Sequence, residues 1–288
     1  MMHNETMGAL VTIRSVLFAI LAVTTAAPLA AQVPKPPAGS AASQPAPATP
    51  VTITFTEYAF DAPATVPAGM VTFRAANKGK ELHHATLVKL DKGHTVAELV
   101  AALQAKAPPP AWMTWYGGPQ NASTVTINLP EGDYAWVCLI PGPDGVPHFI
   151  KGMTRAMKVL PSKTITPAPK ADITVSMADY AWTFSKPITR GKHVIQVLNV
   201  QGAQPHEFVV VRLAAGKTAN DVLTWVQHAV GKPPLISVEG TAPMQAGLTN
   251  YTTVDFAPGH YALFCFVPDA KDGKSHAEHG MVKEFTVQ

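Results

Sequence analysis

The sequence predicts an all-β fold: two tandem Greek-key β-sandwiches, each with one short inserted helix. Three observations carry that expectation. Apolar residues alternate at period two over short runs such as Val51-Thr-Ile-Thr-Phe55. The 288 residues include 27 prolines and 20 glycines, the punctuation of a chain with many turns. The chain also repeats itself: Tyr58-Ala-Phe is answered by Tyr180-Ala-Trp, and Tyr134–Met153 by Tyr261–Met281, with the offset rising from 122 to 128. Strand–helix alternation is missing, which excludes a Rossmann-like sheet.

Taken in order, residues 1–31 read as an export signal. Arg14 precedes an apolar run from Val16 to Val23, and small residues follow to Ala31. That run is far short of the ~20 residues that span a bilayer, so no membrane span is expected after cleavage. The implied location is periplasmic or secreted. Residues 32–50 are a Pro/Ala-rich disordered linker.

The first domain is expected over 51–160. Its strands are Val51–Phe55, Met70–Ala75 after a Pro67-Ala-Gly turn, Ala85–Leu90, Thr124–Leu129, Tyr134–Leu139 and Met153–Leu160. Thr95-Val-Ala-Glu98 is a capping box that opens a helix to Gln104, and Pro108-Pro-Pro stops it. The amphipathic side with Val96, Leu99, Val100 and Leu103 covers a sheet. A second linker occupies 161–171, and the second domain, 172–288, begins the order again. Ile173–Met177, His193–Asn199, His206–Leu213 and a helix over Thr218–His228 match their counterparts in the first.

Charged residues make up 14% and the formal net charge is +3, with no Lys/Arg cluster, so nucleic acid is not an expected partner. Two cysteines in an exported chain invite a disulfide. Cys138 and Cys265, however, hold equivalent places in two repeats, too far apart for the ~7 Å reach of a bridge.

The chemistry lies in the repeated corner. Tyr134-Ala-Trp-Val-Cys138-Leu-Ile-Pro leads through a turn-rich loop to His148-Phe-Ile-Lys-Gly-Met153. Tyr261-Ala-Leu-Phe-Cys265-Phe-Val-Pro leads likewise to His276-Ala-Glu-His-Gly-Met281. A thiolate, an imidazole and a thioether from one strand–loop–strand corner form most of a mononuclear copper site, which a second His would complete. Gly132-Asp-Tyr134-x-x-x-Cys138-x-x-Pro and Gly259-His-Tyr261-x-x-x-Cys265-x-x-Pro resemble the penultimate strand of the cupredoxins, the plastocyanin and azurin family.

That resemblance implies cupredoxin-like domains and metal ligands His83, Cys138, His148 and Met153 in the first repeat. In the second it implies His206, Cys265, His276 and Met281. It further implies type 1-like copper, one ion per repeat. His83 is preferred to His84 because it keeps the seven-residue distance to Leu90 that His206 keeps to Leu213. The spacing departs from the family: nine residues separate Cys from His in the first repeat and ten in the second, against two to four. His84 or Glu207 stands where the family often has Asn. His94, His193, His228, His260 and His279 are expected to face solvent, and Trp112, Trp115 and Tyr116 to pack in core or loop.

The leading expectation is an exported tandem copper protein for one-electron transfer or copper handling, with a redox partner protein. A copper-free binding module is the alternative. A two-domain copper oxidoreductase, and with it enzyme activity, is set aside. Those families place a His beside the Cys and the oxidases carry His-x-His pairs, whereas Val137, Leu139, Phe264 and Phe266 flank the cysteines here.

Overall fold

A computed structural model describes residues 49–288 apart from positions 106, 203, 229 and 230. The expected signal, and the linker up to residue 48, lie outside the described residues. The first half contributes β1 (Val51–Thr56), β2 (Ala59–Asp61), β3 (Thr65–Pro67), β4 (Gly69–Asn77), β5 (Thr86–Leu90), α1 (Val96–Gln104), β6 (Met113–Gly117), β7 (Thr124–Leu129), β8 (Gly132–Val137) and β9 (Thr154–Leu160). The second contributes β10 (Ile173–Ala178), β11 (Ala181–Phe184), β12 (Gly191–Asn199), β13 (His206–Leu213), α2 (Ala219–His228), β14 (Leu235–Met244), β15 (Thr249–Phe256), β16 (Gly259–Phe264) and β17 (Val282–Val287).

These strands build two sheets, and each sheet runs through both halves. One has the order β11-β10-β12-β15-β7-β4-β1-β2, the other β17-β16-β13-β14-β6-β5-β8-β9-β3. Apart from β3, each order reads the same outward from its middle. The junctions are β15 on β7, with Thr252 opposite Val125, and β14 on β6, with Met244 opposite Tyr116. The halves are therefore joined by backbone ladders as well as by the 161–170 segment, which forms no strand or helix. The sheets are not purely antiparallel: β1 pairs with β4, β10 with β12 and β3 with β9 in parallel.

Period-two alternation fills the space between the sheets. Ile53, Phe55, Phe73, Val125, Ile127 and Trp136 bury in the first half, and Val175, Val197, Phe208, Phe256 and Leu263 in the second. Phe73 meets Trp136 edge-on at 5.0 Å between centroids. The helix follows its sequence signal: Thr95 caps α1, its side chain accepts from the Glu98 N–H, and the Glu98 carboxylate accepts from the Thr95 N–H. Leu99 is the buried anchor of that helix.

Two strands escape the sequence pattern, β6 and β14. Both run through glycine and aromatic or proline residues without alternation, and both lie at the junction. Trp115 and Tyr116 are thereby buried strand residues. Asn250, also buried, donates from Nδ2 to the Tyr116 carbonyl at 2.9 Å and to Thr241 Oγ1 at 3.1 Å, tying three junction strands together. Gly118 sits at φ +142°, where a Cβ would stand 1.9 Å from the Ala85 carbonyl oxygen; Gly240, at φ +109°, faces the Phe208 carbonyl at 1.8 Å. Both glycines let a neighbouring strand pass close beside the site-bearing strands β5 and β13.

Because the ladders are shared, both halves are expected to unfold in one urea transition followed by tryptophan fluorescence and far-UV circular dichroism. Asn250→Ala should lower stability by about 1–3 kcal/mol, leaving a buried carbonyl and hydroxyl without that donor. Two separated transitions in the unsubstituted chain would count against a shared fold.

Candidate metal centres

Each Cys–His corner is assembled by backbone hydrogen bonds that follow from the sequence. In the first, Pro141 bridges to Pro147 and the Gly142 N–H donates to the Val146 carbonyl at 3.0 Å, so the loop is a small hairpin standing off the strand. The chain then returns: His148 N donates to Ile140 O at 2.9 Å and Phe149 N to Cys138 O at 2.9 Å. The second corner repeats this with Pro268 bridged to Ser275, His276 N to Val267 O at 2.9 Å and Ala277 N to Cys265 O at 2.7 Å. The nine and ten intervening residues are absorbed by the hairpin, and the histidine comes back beside the cysteine.

Six of the sequence-proposed residues converge as two triads: His83, Cys138 and His148, and His206, Cys265 and His276. All six are fully buried. In the first triad His83 Nδ1 lies 3.0 Å from His148 Nδ1, and Cys138 Sγ lies 3.5 Å from His148 Nδ1. In the second, the two Nδ1 atoms are 2.9 Å apart, with Cys265 Sγ at 3.6 Å from His206 and 3.4 Å from His276. Met153 and Met281 are buried at the end of each corner. Each gives its N–H to the carbonyl of the preceding histidine at 2.9 Å and receives the cysteine N–H, at 3.2 Å for Met153 and 3.3 Å for Met281.

A carboxylate faces the outer nitrogen of every one of these histidines. His148 Nε2 meets Glu81 at 2.8 Å and His206 Nε2 meets Asp179 at 3.0 Å. His83 Nε2 and His276 Nε2 have no hydrogen-bond partner among the described residues, and their nearest carboxylates are Glu57 at 3.7 Å and Asp269 at 3.8 Å. Tyrosines steady the inner pair of carboxylates: Tyr58 donates to Glu81 at 3.0 Å, and Tyr180 to Asp269. The sequence reading missed Glu57, Glu81, Asp179 and Asp269. The signal was present for two of them, since an acid precedes the repeated tyrosine in both Glu57-Tyr58 and Asp179-Tyr180.

Glu81 and Asp179 hold the imidazole proton of His148 and His206 at Nε2, so the Nδ1 lone pair of each points inward at the partner ring and at sulfur. Burial pushes the pKa of all four histidines down, that of His276 to about 4, so the rings are neutral at neutral pH. Burial also pushes the Cys138 thiol up to about 12, and the Cys265 thiol upward. Two inward lone pairs and a sulfur in a dry enclosure fit a cation. Donors bound ~2.0–2.3 Å from one ion stand roughly 3.3–3.8 Å apart; the sulfur–nitrogen spacings of 3.4–3.6 Å fall in that range, and the paired Nδ1 atoms, at 2.9 and 3.0 Å, would part by a few tenths of an ångström. A thiolate and two imidazoles with a thioether nearby are a donor set that suits copper.

The residue after each upstream histidine clamps the cysteine strand. His84 Nε2 accepts from the Leu139 N–H at 2.9 Å, and Glu207 Oε1 accepts from the Phe266 N–H at 2.8 Å. The expectation of a solvent-facing side chain is corrected for His193 and His94 and holds for His260 and His279. His193 is buried, with Nδ1 3.0 Å from Asp172, and His94 stacks on Trp112 at 4.3 Å between centroids. His260 and His279 are exposed, the latter 3.1 Å from Asp272. Cys138 and Cys265 are both free thiols.

Burial raises the Glu207 carboxyl from 4.5 to about 7 and lowers His84 from 6.5 to about 3. The folded chain therefore holds the Glu207 proton between pH 4.5 and 7 while the unfolded chain does not. That contribution is complete below pH 4.5 and is lost as pH rises through 7; His84 acts in the opposite sense between pH 3 and 6.5. In metal-free chain, Glu207→Gln should gain stability relative to the unsubstituted protein as pH rises from 5 to 8, by on the order of 3 kcal/mol. A difference equal at both pH values would count against a buried, proton-holding Glu207.

No family model matches the chain, and no curated protein does. Similar solved structures include a dithionite-reduced auracyanin from Roseiflexus castenholzii, 26% identical, covering 39% of this chain and 98% of its own, with TM-score 0.27. A copper nitrite reductase from Nitrosomonas europaea is 14% identical over 83% of this chain and 94% of its own, TM-score 0.25. A multicopper oxidase is 12% identical over 82% and 88%, TM-score 0.21. The expectation that the chain is not an enzyme is corrected at this point, because nitrite reductases and multicopper oxidases, which are enzymes, stand among its matches. Its two-sheet β architecture and its two His–Cys–His corners, each closed by a buried methionine, make the chain cupredoxin-like.

Proposed function

We propose that this chain is an exported protein that holds one type 1-like copper ion in each half and uses the pair for one-electron transfer. The observation that carries this reading is the inward convergence of two imidazole Nδ1 atoms and a cysteine sulfur, all fully buried, in each half. His83, Cys138 and His148 would hold the first ion with Met153 as the weak axial contact; His206, Cys265, His276 and Met281 would hold the second. Bound copper supplies a centre that changes between +1 and +2.

The protein's part is to keep that change small in geometry. Each cysteine is fixed between the backbone of its own corner and the upstream strand: Cys138 Sγ accepts from the His84 and Ile140 amides, and Cys265 Sγ from Glu207 and Val267. Carboxylates fix the ring orientations, and Phe264, Val137 and Trp136 keep water out. Rigid, dry corners favour electron transfer over copper release. Export is supported by the leader pattern ending at Ala31. Among the described residues no helix is long and apolar enough to cross a membrane. The partner would be a redox protein or molecule exchanging single electrons.

Titration of the chain with Cu(II) should give an intense thiolate-to-copper band in the visible, two ions per chain, and release of one thiol proton per ion. Cys138→Ser and Cys265→Ser should each remove about half of the band and one ion. Glu81→Ala and Asp179→Ala should weaken copper binding by roughly 10–100-fold, because each leaves a ligand imidazole without its orienting carboxylate. Absence of both band and retained copper would replace this reading with a copper-free binding module.

A further inference from the structure

Across the junction between the halves runs a line of buried polar side chains that the copper sites themselves do not use. His84, Gln120 and Glu207 are buried to 5%, 3% and 5% exposure. Gln120 follows β6 and pairs with His84 as an isolated backbone bridge, which sets its side chain beside the His84 ring on one side, and its Nε2 donates to Glu207 Oε2 at 3.3 Å on the other. The outer ends of the line are the amides next to the two cysteines, Leu139 N–H on His84 Nε2 and Phe266 N–H on Glu207 Oε1. The structure thus sets three buried polar side chains in a line from residue 139 to residue 266, hydrogen-bonded at both ends and between Gln120 and Glu207.

The line has one direction. His84 Nε2 accepts from Leu139, so the neutral ring carries its proton on Nδ1, the form that suits the Gln120 oxygen. Gln120 then donates to Glu207, which accepts from both sides. Hydrogen bonds in a low-dielectric interior polarise one another along such a chain. A change of charge at one sulfur alters the Leu139 or Phe266 amide first, since each is the residue after its cysteine.

We propose that Gln120 couples the two candidate copper sites, so that the state of one is felt at the other through Leu139, His84, Gln120, Glu207 and Phe266. This rests on the copper reading above. Gln120 touches neither ligand set and is a positioning residue for both. Its removal leaves Cys138, Cys265 and the four histidines in place, so each site should keep its metal while losing news of the other.

The test compares the reduction potential of the Cys265 site with its neighbour loaded, in the full chain, and with its neighbour absent, in Cys138→Ser. Both are measured again with Gln120→Met, which keeps length and volume but makes no hydrogen bond. Loading the first site is expected to shift the one-electron equilibrium at the second several-fold, a tenfold change being ~59 mV. Gln120→Met should remove most of that shift while both thiolate bands and two ions per chain persist. A second arm needs no metal: in apo chain, His84→Leu and Glu207→Leu should be non-additive in urea unfolding, and additive in the Gln120→Met background. An unchanged potential shift in Gln120→Met chain that keeps both bands overturns the coupling and leaves the copper reading intact. Additive effects of His84→Leu and Glu207→Leu with Gln120 present overturn it as well. A chain that binds no copper overturns both.

Discussion

Everything at the two corners depends on keeping a thiol and two neutral imidazoles out of water. Buried polar groups are costly unless they are paired, and a buried charge more so. Here the outer nitrogens face carboxylates that reach in from the β1–β2 and β10–β11 turns (Glu57, Asp179), from the segment between β4 and β5 (Glu81) and from the second hairpin (Asp269), while backbone amides approach the sulfur. The inner face of each corner brings two Nδ1 atoms and one sulfur together, while the outer Nε2 atoms of His83 and His276 have no hydrogen-bond partner among the described residues. A metal ion on the inner face would give those lone pairs and the sulfur a shared partner. The two-sheet fold brings an upstream strand, a penultimate strand and its following loop to one dry point in each half.

The corner itself was readable because its parts are close in sequence: a cysteine on an apolar strand, a histidine after a turn-rich loop, a methionine five residues on. Strand β7 and helix α1 were readable for local reasons too, alternation in Thr124–Leu129 and a capping box at Thr95. The junction was not. Strand β14, Leu235–Met244, contains Gly240 and Pro243, and β6 reads Met-Thr-Trp-Tyr-Gly; neither shows a polar and an apolar face because both lie between neighbours in a sheet shared by two halves. The carboxylates escaped for a different reason. Glu57 and Asp179 act on histidines 26 or 27 residues away, a distance at which an acid in a turn has no local signature.

The pairing of the sheets also explains why the halves can differ without either losing its corner. Lys151 in the first half makes an ion pair with Asp144 at 2.8 Å and bonds Tyr58 at 3.1 Å. His279 takes the matching place in the second, bonded to Asp272, and Asp269 receives Tyr180 there. Each set braces the hairpin that returns the ligand histidine. The chemistry of the brace changes while the backbone bonds that bring His148 and His276 home stay the same, since those bonds are made by residues whose side chains are free to vary.

One difference between the halves is required rather than tolerated. The two sheets are arranged with near-twofold symmetry, but a carboxamide placed between symmetric positions is not symmetric: one end accepts and the other donates. Gln120 has no twin, since the position two residues after the matching Gly240 is Ala242. Two histidines, each held by an amide on Nε2, would both offer Nδ1–H, and one would meet the Gln120 amino group. Two ionised carboxylates would both need a donor, and one would meet its oxygen. A donor on one side and an acceptor on the other suits the two ends of the amide, and that is the arrangement that His84 and ionised Glu207 offer. A single bridging glutamine therefore forces the residue after the upstream histidine to differ between the halves, so two corners with the same ligands acquire different neighbours.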